Sequence, residues 1–335
     1  MSSTPETWLL VCPARAVEAC RPLIRSHERE RPVRVVVVDD DAKPLSSLEL
    51  EQELDDVRGV LVIGDRRRTP RTALPGPFLV ARAGRRVPAG FLPFTNTAEI
   101  GRFVQAASEV AGRDSSGPLA FLGQWDDHVR RMVARGERIF ASNAGGHRSP
   151  PLCWTADRII RRDLIAALGH GLGLAMYFGH GRPYGWAGYH GFHTRHLKYI
   201  AGRPIGAIVS LTCHTANRRN VALSFAEALP LHGATAAVLG ATCATRTENN
   251  WWWATNLCET VARTPDVRFG ELVAFSCPPR EEQWRPYRIL GDPLAKLAGA
   301  PGAELACQRV YAPAPDGAAA PAGYLGEFEA MSVAT

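Results

Sequence analysis

Short apolar runs alternate with amphipathic stretches along most of the chain. The first predicted strands are residues 9–12, 33–38 and 59–65. The helices between them are predicted from the spacing of Ala16, Val17, Leu23 and Ile24 and at residues 48–54. Short runs without polar alternation are typical of strands buried on both faces of a parallel sheet. The alternating order therefore predicts an α/β fold with a mostly parallel sheet flanked by helices.

The second part of the chain repeats this alternation. Thr97 is the predicted N-cap of a helix over residues 96–111, and residues 113–118 read as a linker. The further predicted strands are residues 78–81, 119–122 and 236–241, together with the strand-like segments 174–181 and 207–214. The further predicted helices are residues 127–139, 155–168 and 251–263. We therefore expect two sub-domains, residues 1–112 and 118–310, and an Ala- and Pro-rich tail at residues 311–335.

Two of these strands end in reactive side chains. One apolar run leads into His180, and the next along the chain leads into Cys213. Since the carboxyl ends of parallel strands meet at one rim of a sheet, the two side chains are expected side by side. A cysteine beside a histidine is the arrangement that a thiol nucleophile needs. The pattern makes the chain a candidate cysteine peptidase.

Composition narrows the function classes. Of 335 residues, 46% are hydrophobic and 21% charged, as in an ordinary folded protein, and no apolar run is long enough to cross a membrane. The net charge of +6 comes from dispersed arginines, so no nucleic-acid footprint is expected. The eight cysteines form no CxxC pair and no zinc spacing, and the polar N-terminus lacks a signal-peptide pattern. We expect a cytoplasmic protein with reduced thiols and no cofactor; a structural calcium ion stays open.

Six segments of the chain carry a common pattern. They are residues 59–65 with 71–75, 87–93, 179–181 with 186–188, 210–213, 233–242 and 287–293. In this order they resemble the gingipain-type cysteine peptidases, a branch of the caspase-like peptidases of clan CD. Phe91 stands where that family usually has an arginine.

The resemblance implies a caspase-like three-layer fold and a role for each residue at the strand ends. Cys213 would be the nucleophile, and His180 would activate it and protonate the leaving amine. The backbone N–H groups of Gly181 and Cys213 would form the oxyanion hole, and Thr212 would bind substrate.

The resemblance also implies which residues set the specificity. Asp127 is the best counterpart of the acid that holds arginine in related peptidases, and Asp126 is the alternative or the partner of the histidine. Both aspartates also suit helix N-caps. Trp253 matches the tryptophan of the pocket wall. An acid beside an aromatic wall favours cleavage after Arg or Lys. A caspase-type preference for Asp would instead need convergent arginines, which Arg182 or Arg195 could supply.

Regulation and rival functions are predicted from the same comparison. Secreted relatives carry a propeptide and an immunoglobulin-like domain, which the sequence does not show. Arg218 and Arg219, expected in an exposed loop, form a candidate self-cleavage site, and an upstream protease is the alternative activator. We expect a bacterial stress or defence role with basic-site protein substrates. The rivals are a catalytically silent scaffold and a nucleotide binder, and the absence of a G-x-G-x-x-G motif disfavours the second.

Overall fold

The computed structural model describes residues 6–38, 54–67, 76–82, 84–114, 117–145 and 149–311. Its strands are β1 (Thr7–Pro13), β2 (Val33–Val38), β3 (Val57–Asp65), β4 (Phe78–Val80), β5 (Arg86–Phe94), β6 (Leu119–Gly123), β7 (Leu152–Thr155), β8 (Leu174–Phe178), β9 (Gly181–Arg182), β10 (Gly185–Trp186), β11 (Phe192–His193), β12 (Ile205–Leu211), β13 (Thr235–Ala241) and β14 (Tyr287–Gly291). Its helices are α1 (Ala14–Glu28), α2 (Thr97–Ala111), α3 (Asp127–Asn143), α4 (Arg161–Leu168), α5 (Phe225–Leu231), α6 (Thr247–Arg263), α7 (Phe269–Ser276), α8 (Glu281–Trp284) and α9 (Ala303–Gln308). A helical turn at Gly188–Gly191 and 3₁₀ helices at Thr194–Tyr199 and Arg309–Tyr311 complete the set.

One large sheet runs through the molecule. Its strand order is β2-β1-β3-β5-β14-β13-β12-β8-β6-β7, with β4 paired to β5 at the side. Neighbouring strands are parallel except at the β13–β14 and β4–β5 pairs. Because β5 pairs with β14, the sheet is continuous across the predicted linker. The division into two sub-domains stays a prediction.

Helices cover both faces of this sheet, which explains the unbroken apolar runs. Along β8, Met176 and Phe178 belong to one buried cluster and Tyr177 to the other. Helices α1, α2, α3, α6 and α7 pack on the first face, and α4 and α5 on the second. Each fully buried large apolar side chain contributes about 1.5–3 kcal/mol. The predicted helix-flanked, mostly parallel architecture is confirmed.

A buried polar contact anchors the middle of the sheet. Asp292, directly after β14, accepts hydrogen bonds from Trp8 Nε1 at 3.2 Å and the backbone N–H of Leu294 at 3.0 Å. Its second oxygen lies 2.9 Å from His27 Nε2. The His27 ring stacks on Trp8 with centroids 4.1 Å apart. Burial alone would raise the pKa of Asp292, but His27 and these donors hold it below its usual range. The segment 287–293 therefore ties β14 to β1 and α1.

Several predicted element boundaries are wrong. The N-cap of α2 is Asn96, not Thr97, since its side chain accepts from the N–H of Glu99. The predicted helix 155–168 begins only at Arg161, because Thr155 ends an edge strand, β7, and a turn separates the strand from the helix. Helix α6 begins at Thr247, four residues before the predicted start. Strand β5 contains the motif segment 87–93, for which no strand is predicted.

Other predictions concern the connecting segments. Arg113, in the predicted linker, is buried and donates to the carbonyls of Ala298 and Pro204, so this end of the connection is packed. Nearly all of the predicted helix at residues 48–54, the loop 71–75 and the tail after residue 311 lie outside the described residues.

Candidate active site

The register of three parallel strands brings the predicted reactive residues together. Phe178 of β8 pairs with Leu211 of β12, and Gly123 of β6 pairs with the same Phe178. His180 and Cys213 each follow two residues beyond these paired strand ends. Trp125 occupies the equivalent position after β6. The three side chains therefore leave neighbouring strands at one rim of the sheet, as the sequence predicted for the histidine and cysteine.

Backbone contacts hold the loop that carries His180. The His180 N–H donates to Gln124 Oε1 at 3.1 Å, while its carbonyl accepts from the Tyr177 hydroxyl at 3.1 Å. Gly179 has a φ of +147°, and a Cβ there would lie 2.8 Å from that hydroxyl, so glycine is required. Burial is the main effect that raises the pKa of Tyr177, and the charge of Asp126 also raises it. The His180 side chain itself is exposed.

Gly181 is the point at which the histidine loop contacts the cysteine loop. A Cβ added at Gly181 would overlap Thr212 Oγ1 and lie 2.7 Å from the Cys213 carbonyl oxygen. The absence of a side chain thus lets the two loops approach closely. Thr212 is fully buried at this contact, and its hydroxyl has no hydrogen-bond partner among the described residues.

Cys213 sits on a tight turn with a donor aimed at its sulfur. The next residue, His214, adopts a left-handed φ of +63°, a conformation that costs energy outside glycine and recurs at functional sites. The backbone N–H of Thr245 donates to Cys213 Sγ at 3.3 Å. The Cys213 thiol is half-buried, so it can be reached from solvent.

The other seven cysteines are less reactive thiols. Burial raises the pKa of Cys12 to about 11 and of Cys20 to about 12. It also raises the pKa of each of the remaining five, which are Cys153, Cys243, Cys258, Cys277 and Cys307. Structural roles for these thiols agree with the sequence-based interpretation.

Comparison with known proteins identifies this arrangement. The family model described as peptidase family C25 matches residues 94–298, more than half of the chain. The chain belongs to peptidase family C25. The match contains both His180 and Cys213. Comparison with curated protein sequences gave no match.

Solved structures show that this C25 peptidase has the caspase-like fold of clan CD. The Arg-specific cysteine proteinase gingipain R (RgpB) shares 16% identity at a TM-score of 0.67, over 87% of this chain and 78% of that one. The complex of Porphyromonas gingivalis RgpB pro- and mature domains gives 18% and 0.68, over 87% and 80%. Separase of Saccharomyces cerevisiae, solved with securin, gives 12% and 0.52, over 71% of this chain and 16% of separase.

The predicted specificity residues of the C25 peptidase lie at the start of two adjacent helices. Asp126 caps α3, since its Oδ1 accepts from the N–H of Val129 at 3.0 Å. Asp127 is exposed and pairs with Arg130 one turn along the helix. Both aspartates are therefore engaged in local contacts, although each stays at the rim, and their role toward substrate stays a prediction.

The tryptophans of α6 divide between core and surface. Trp253 is 0% exposed and packs beside Tyr287, with ring centroids 5.3 Å apart. In this conformation Trp253 therefore offers no surface to a substrate. Its assignment to a pocket wall stays a prediction. Its neighbour Trp252 is 46% exposed, and Trp251 contacts the His128 ring of α3 edge-on at 5.7 Å. The exposed aromatic surface here comes from Trp252.

Of the two arginines expected in an exposed loop, Arg219 is exposed and Arg218 is buried. Arg218 is 8% exposed, and its guanidinium lies 2.6 Å from the buried Glu227 carboxylate. The expectation of exposure is wrong for Arg218, because the ion pair draws its side chain inward. Arg219 is exposed, and its N–H donates to Asn217 Oδ1 at 2.6 Å. Cleavage at either residue stays a prediction.

Three residues of the site were not singled out from the sequence. Gln124 and Thr245 hold the histidine loop and the sulfur through the contacts described above. Trp186 donates from Nε1 to Ser210 Oγ at 2.8 Å and stacks on Tyr177 at 4.4 Å. Gln124 and Thr245 follow the ends of β6 and β13, so the strand-end argument applied to every strand could have found them. Trp186 belongs to a quoted motif, but its partner depends on register.

Within the described ranges, no group of three or more His, Cys, Asp or Glu side chains could hold a metal ion. No helix in these ranges is long and apolar enough to cross a lipid bilayer.

Proposed function

We propose that this C25 peptidase is an endopeptidase that uses a His180–Cys213 dyad and cleaves proteins after Arg or Lys. The observation that carries the proposal is the register of β8 and β12, which places both residues two positions beyond paired strand ends. The packing of Gly181 on the Cys213 carbonyl supports it, since the two loops must stay in contact for proton transfer and attack at one carbonyl.

The reaction follows from these positions. The Cys213 thiolate attacks the scissile carbonyl carbon, and the N–H groups of Gly181 and Cys213 donate hydrogen bonds to the developing oxyanion. His180 gives its proton to the leaving amine as the C–N bond breaks, which leaves a thioester on Cys213. Water, deprotonated by His180, then hydrolyses the thioester and restores the thiol. Among the described residues the Cys213 N–H has no competing partner, which supports this role.

The preference for a cationic side chain is supported by the groups around the start of α3 and α6. Two carboxylates, Asp126 and Asp127, directly follow the exposed Trp125 in the chain. The next residue, His128, contacts Trp251, the neighbour of the exposed Trp252. Carboxylates pair with a guanidinium or ammonium group, and indole faces attract such cations. Gingipain R, which has a similar fold, is named as Arg-specific.

A preference for Asp is the second candidate, and one observation favours it. Arg182 and Arg195 lie in one network of side chains beyond His180, linked through Tyr184 and two histidines. Convergent arginines are what an Asp-binding pocket requires.

Fluorogenic peptides that end in Arg, Lys or Asp before the reporter separate these functions. We expect the Arg and Lys peptides to be cleaved at least tenfold faster than the Asp peptide. Cys213→Ala should abolish turnover, whereas Cys243→Ala, which removes the neighbouring thiol, should retain it. Faster turnover of the Asp peptide would refute the basic preference, and a wild-type chain without peptidase activity would favour the scaffold.

Regulation by cleavage belongs to the same proposal, as do a cytoplasmic location, an upstream activating protease and a bacterial stress or defence pathway. Exposed Arg219 is the better candidate site, because Arg218 is held by Glu227. Intact-mass measurement during incubation tests this, with Arg219→Gln as the comparison. Full activity at unchanged mass would exclude a required self-cleavage.

A further inference from the structure

A three-stranded sheet beyond His180 carries a group of cationic side chains. Strands β9, β10 and β11 are antiparallel, and Gly185 pairs with both Arg182 and His193. Arg182 Nη1 donates to the Tyr184 hydroxyl at 2.8 Å. The Tyr184 ring meets the His193 ring edge-on, with centroids 5.0 Å apart. Arg182 thus stands two residues from His180 and is held in place by its neighbours.

Two further arginines reach the same group from other elements. The His193 ring stacks on His196 at 5.6 Å, and Arg195 Nε lies 3.4 Å from His196 Nε2. From the start of α4, Arg161 Nη1 donates to the carbonyls of residues 190 and 191, at 2.9 and 3.2 Å. We call Arg161, Arg182 and Arg195 the arginine cluster.

The cluster carries uncompensated positive charge. Among the described residues none of its three arginines forms an ion pair with a carboxylate, whereas the adjacent Arg162 lies 3.5 Å from Asp163. Burial, together with the charges of Arg161 and Arg195, lowers the pKa of His196 to about 4. The pKa of His193 is lowered by burial and by all three arginines. Like charges gathered without counter-ions favour an anionic ligand.

We propose that the arginine cluster binds acidic side chains of the substrate on the C-terminal side of the cleaved bond. This rests on the proposed function, because it uses His180 as the donor to the leaving amine. The residues that follow that amine extend from the imidazole side of the site, away from Cys213. The chain itself runs from His180 through Gly181 to Arg182 on that side. The pocket for the residue before the cut lies elsewhere, at the start of α3 and α6.

Peptides with internal quenching test the proposal. Four peptides carry Arg directly before the cut. In three of them the Arg is followed by Glu-Glu, Gln-Gln or Lys-Lys, and in the fourth Glu-Glu precedes the Arg. For the full chain at low salt we expect kcat/KM for the first peptide to exceed that for the Gln-Gln peptide by about tenfold. The advantage should shrink to about twofold in 0.5 M NaCl, because salt screens exposed charges. Acids placed before the Arg should give no such gain.

Charge-removing variants assign the effect to the cluster. Arg195→Gln and Arg182→Gln should each reduce the ratio of Glu-Glu to Gln-Gln turnover by about threefold. Arg138→Gln is the matched control, since Arg138 is an exposed arginine bonded to Ala134 of its own helix. It should leave the ratio unchanged.

Binding separates this proposal from the cleavage chemistry. Labelled peptides with Arg-Glu-Glu and Arg-Gln-Gln are titrated with the Cys213→Ala chain by fluorescence anisotropy, with and without Arg195→Gln. The proposal is supported, even if no peptide is cleaved, when the acidic peptide binds more tightly than the neutral one and Arg195→Gln removes this difference. Cleavage after Arg with equal turnover of the Glu-Glu and Gln-Gln peptides overturns it and leaves the proposed function intact. A preference that survives both cluster variants, or rapid cleavage after Asp, overturns it as well.

Discussion

Replacing Gly181 with Ala tests whether the contact between the two loops sets the geometry of catalysis. The added methyl would overlap Thr212 Oγ1 and lie 2.7 Å from the Cys213 carbonyl oxygen. Ordinary contacts need about 3.5 Å, so the histidine loop must move away by about 1 Å. A misplacement of about 1 Å can reduce turnover by about 10²-fold. The overpacking itself should cost about 1–3 kcal/mol of folding free energy.

The assay is kcat/KM on the preferred fluorogenic peptide, with thermal unfolding measured in parallel. Gly101→Ala is the matched control, because no atom lies within 4 Å of the added methyl on the exposed face of α2. It should leave kcat/KM unchanged and stabilise the helix by about 0.5–1 kcal/mol. Adding Thr212→Ala to Gly181→Ala should recover part of the loss, since the clash with the carbonyl remains. A Gly181→Ala chain within threefold of wild-type kcat/KM would refute the reasoning.

Two further predictions concern stability and thiol reactivity. Asp292→Asn should lower the free energy of unfolding at pH 7 by about 3 kcal/mol, because it breaks a buried pair with His27. Since the pKa of Asp292 is lowered in the folded state, its stabilisation is present above the unfolded value of about 4 and lost at lower pH. Urea titrations of both chains should therefore converge as the pH falls below about 4, and a constant difference would contradict the assignment. Iodoacetamide at pH 7 should alkylate Cys213 first, as followed by peptide mass mapping, because burial raises the pKa of every other thiol. Faster labelling of exposed Cys243 would show that the Thr245 donor does not activate Cys213.

The strands that carry the reactive residues could be predicted because burial on both faces leaves an unbroken apolar run. The position of Cys213 beside the histidine loop followed from the general rule on strand ends. The partners of the site could not be predicted, since they depend on register. Gln124 meets the His180 N–H across 56 residues, and Trp186 meets Ser210 across 24.

The specificity residues show a different limit. Consecutive tryptophans point about 100° apart on a helix, so at least one must leave the core. Which one does so depends on how α6 rotates against Tyr287, and the sequence does not define that rotation. The sequence pattern around Asp126 fits both a helix cap and an acid in a pocket. In the structure, one of its carboxylate oxygens accepts the capping hydrogen bond from Val129.

The central place of β14 also determines when this chain can finish folding. Residues 287–291, near the end of the described chain, fill the gap between β5 and β13, which otherwise expose two strand edges. Pairings between segments so distant in sequence form slowly, and open edges invite association with other chains. During synthesis the sheet that carries His180 and Cys213 therefore stays incomplete until β14 has left the ribosome. A nascent or truncated chain that lacks β14 would be prone to aggregate through these open edges.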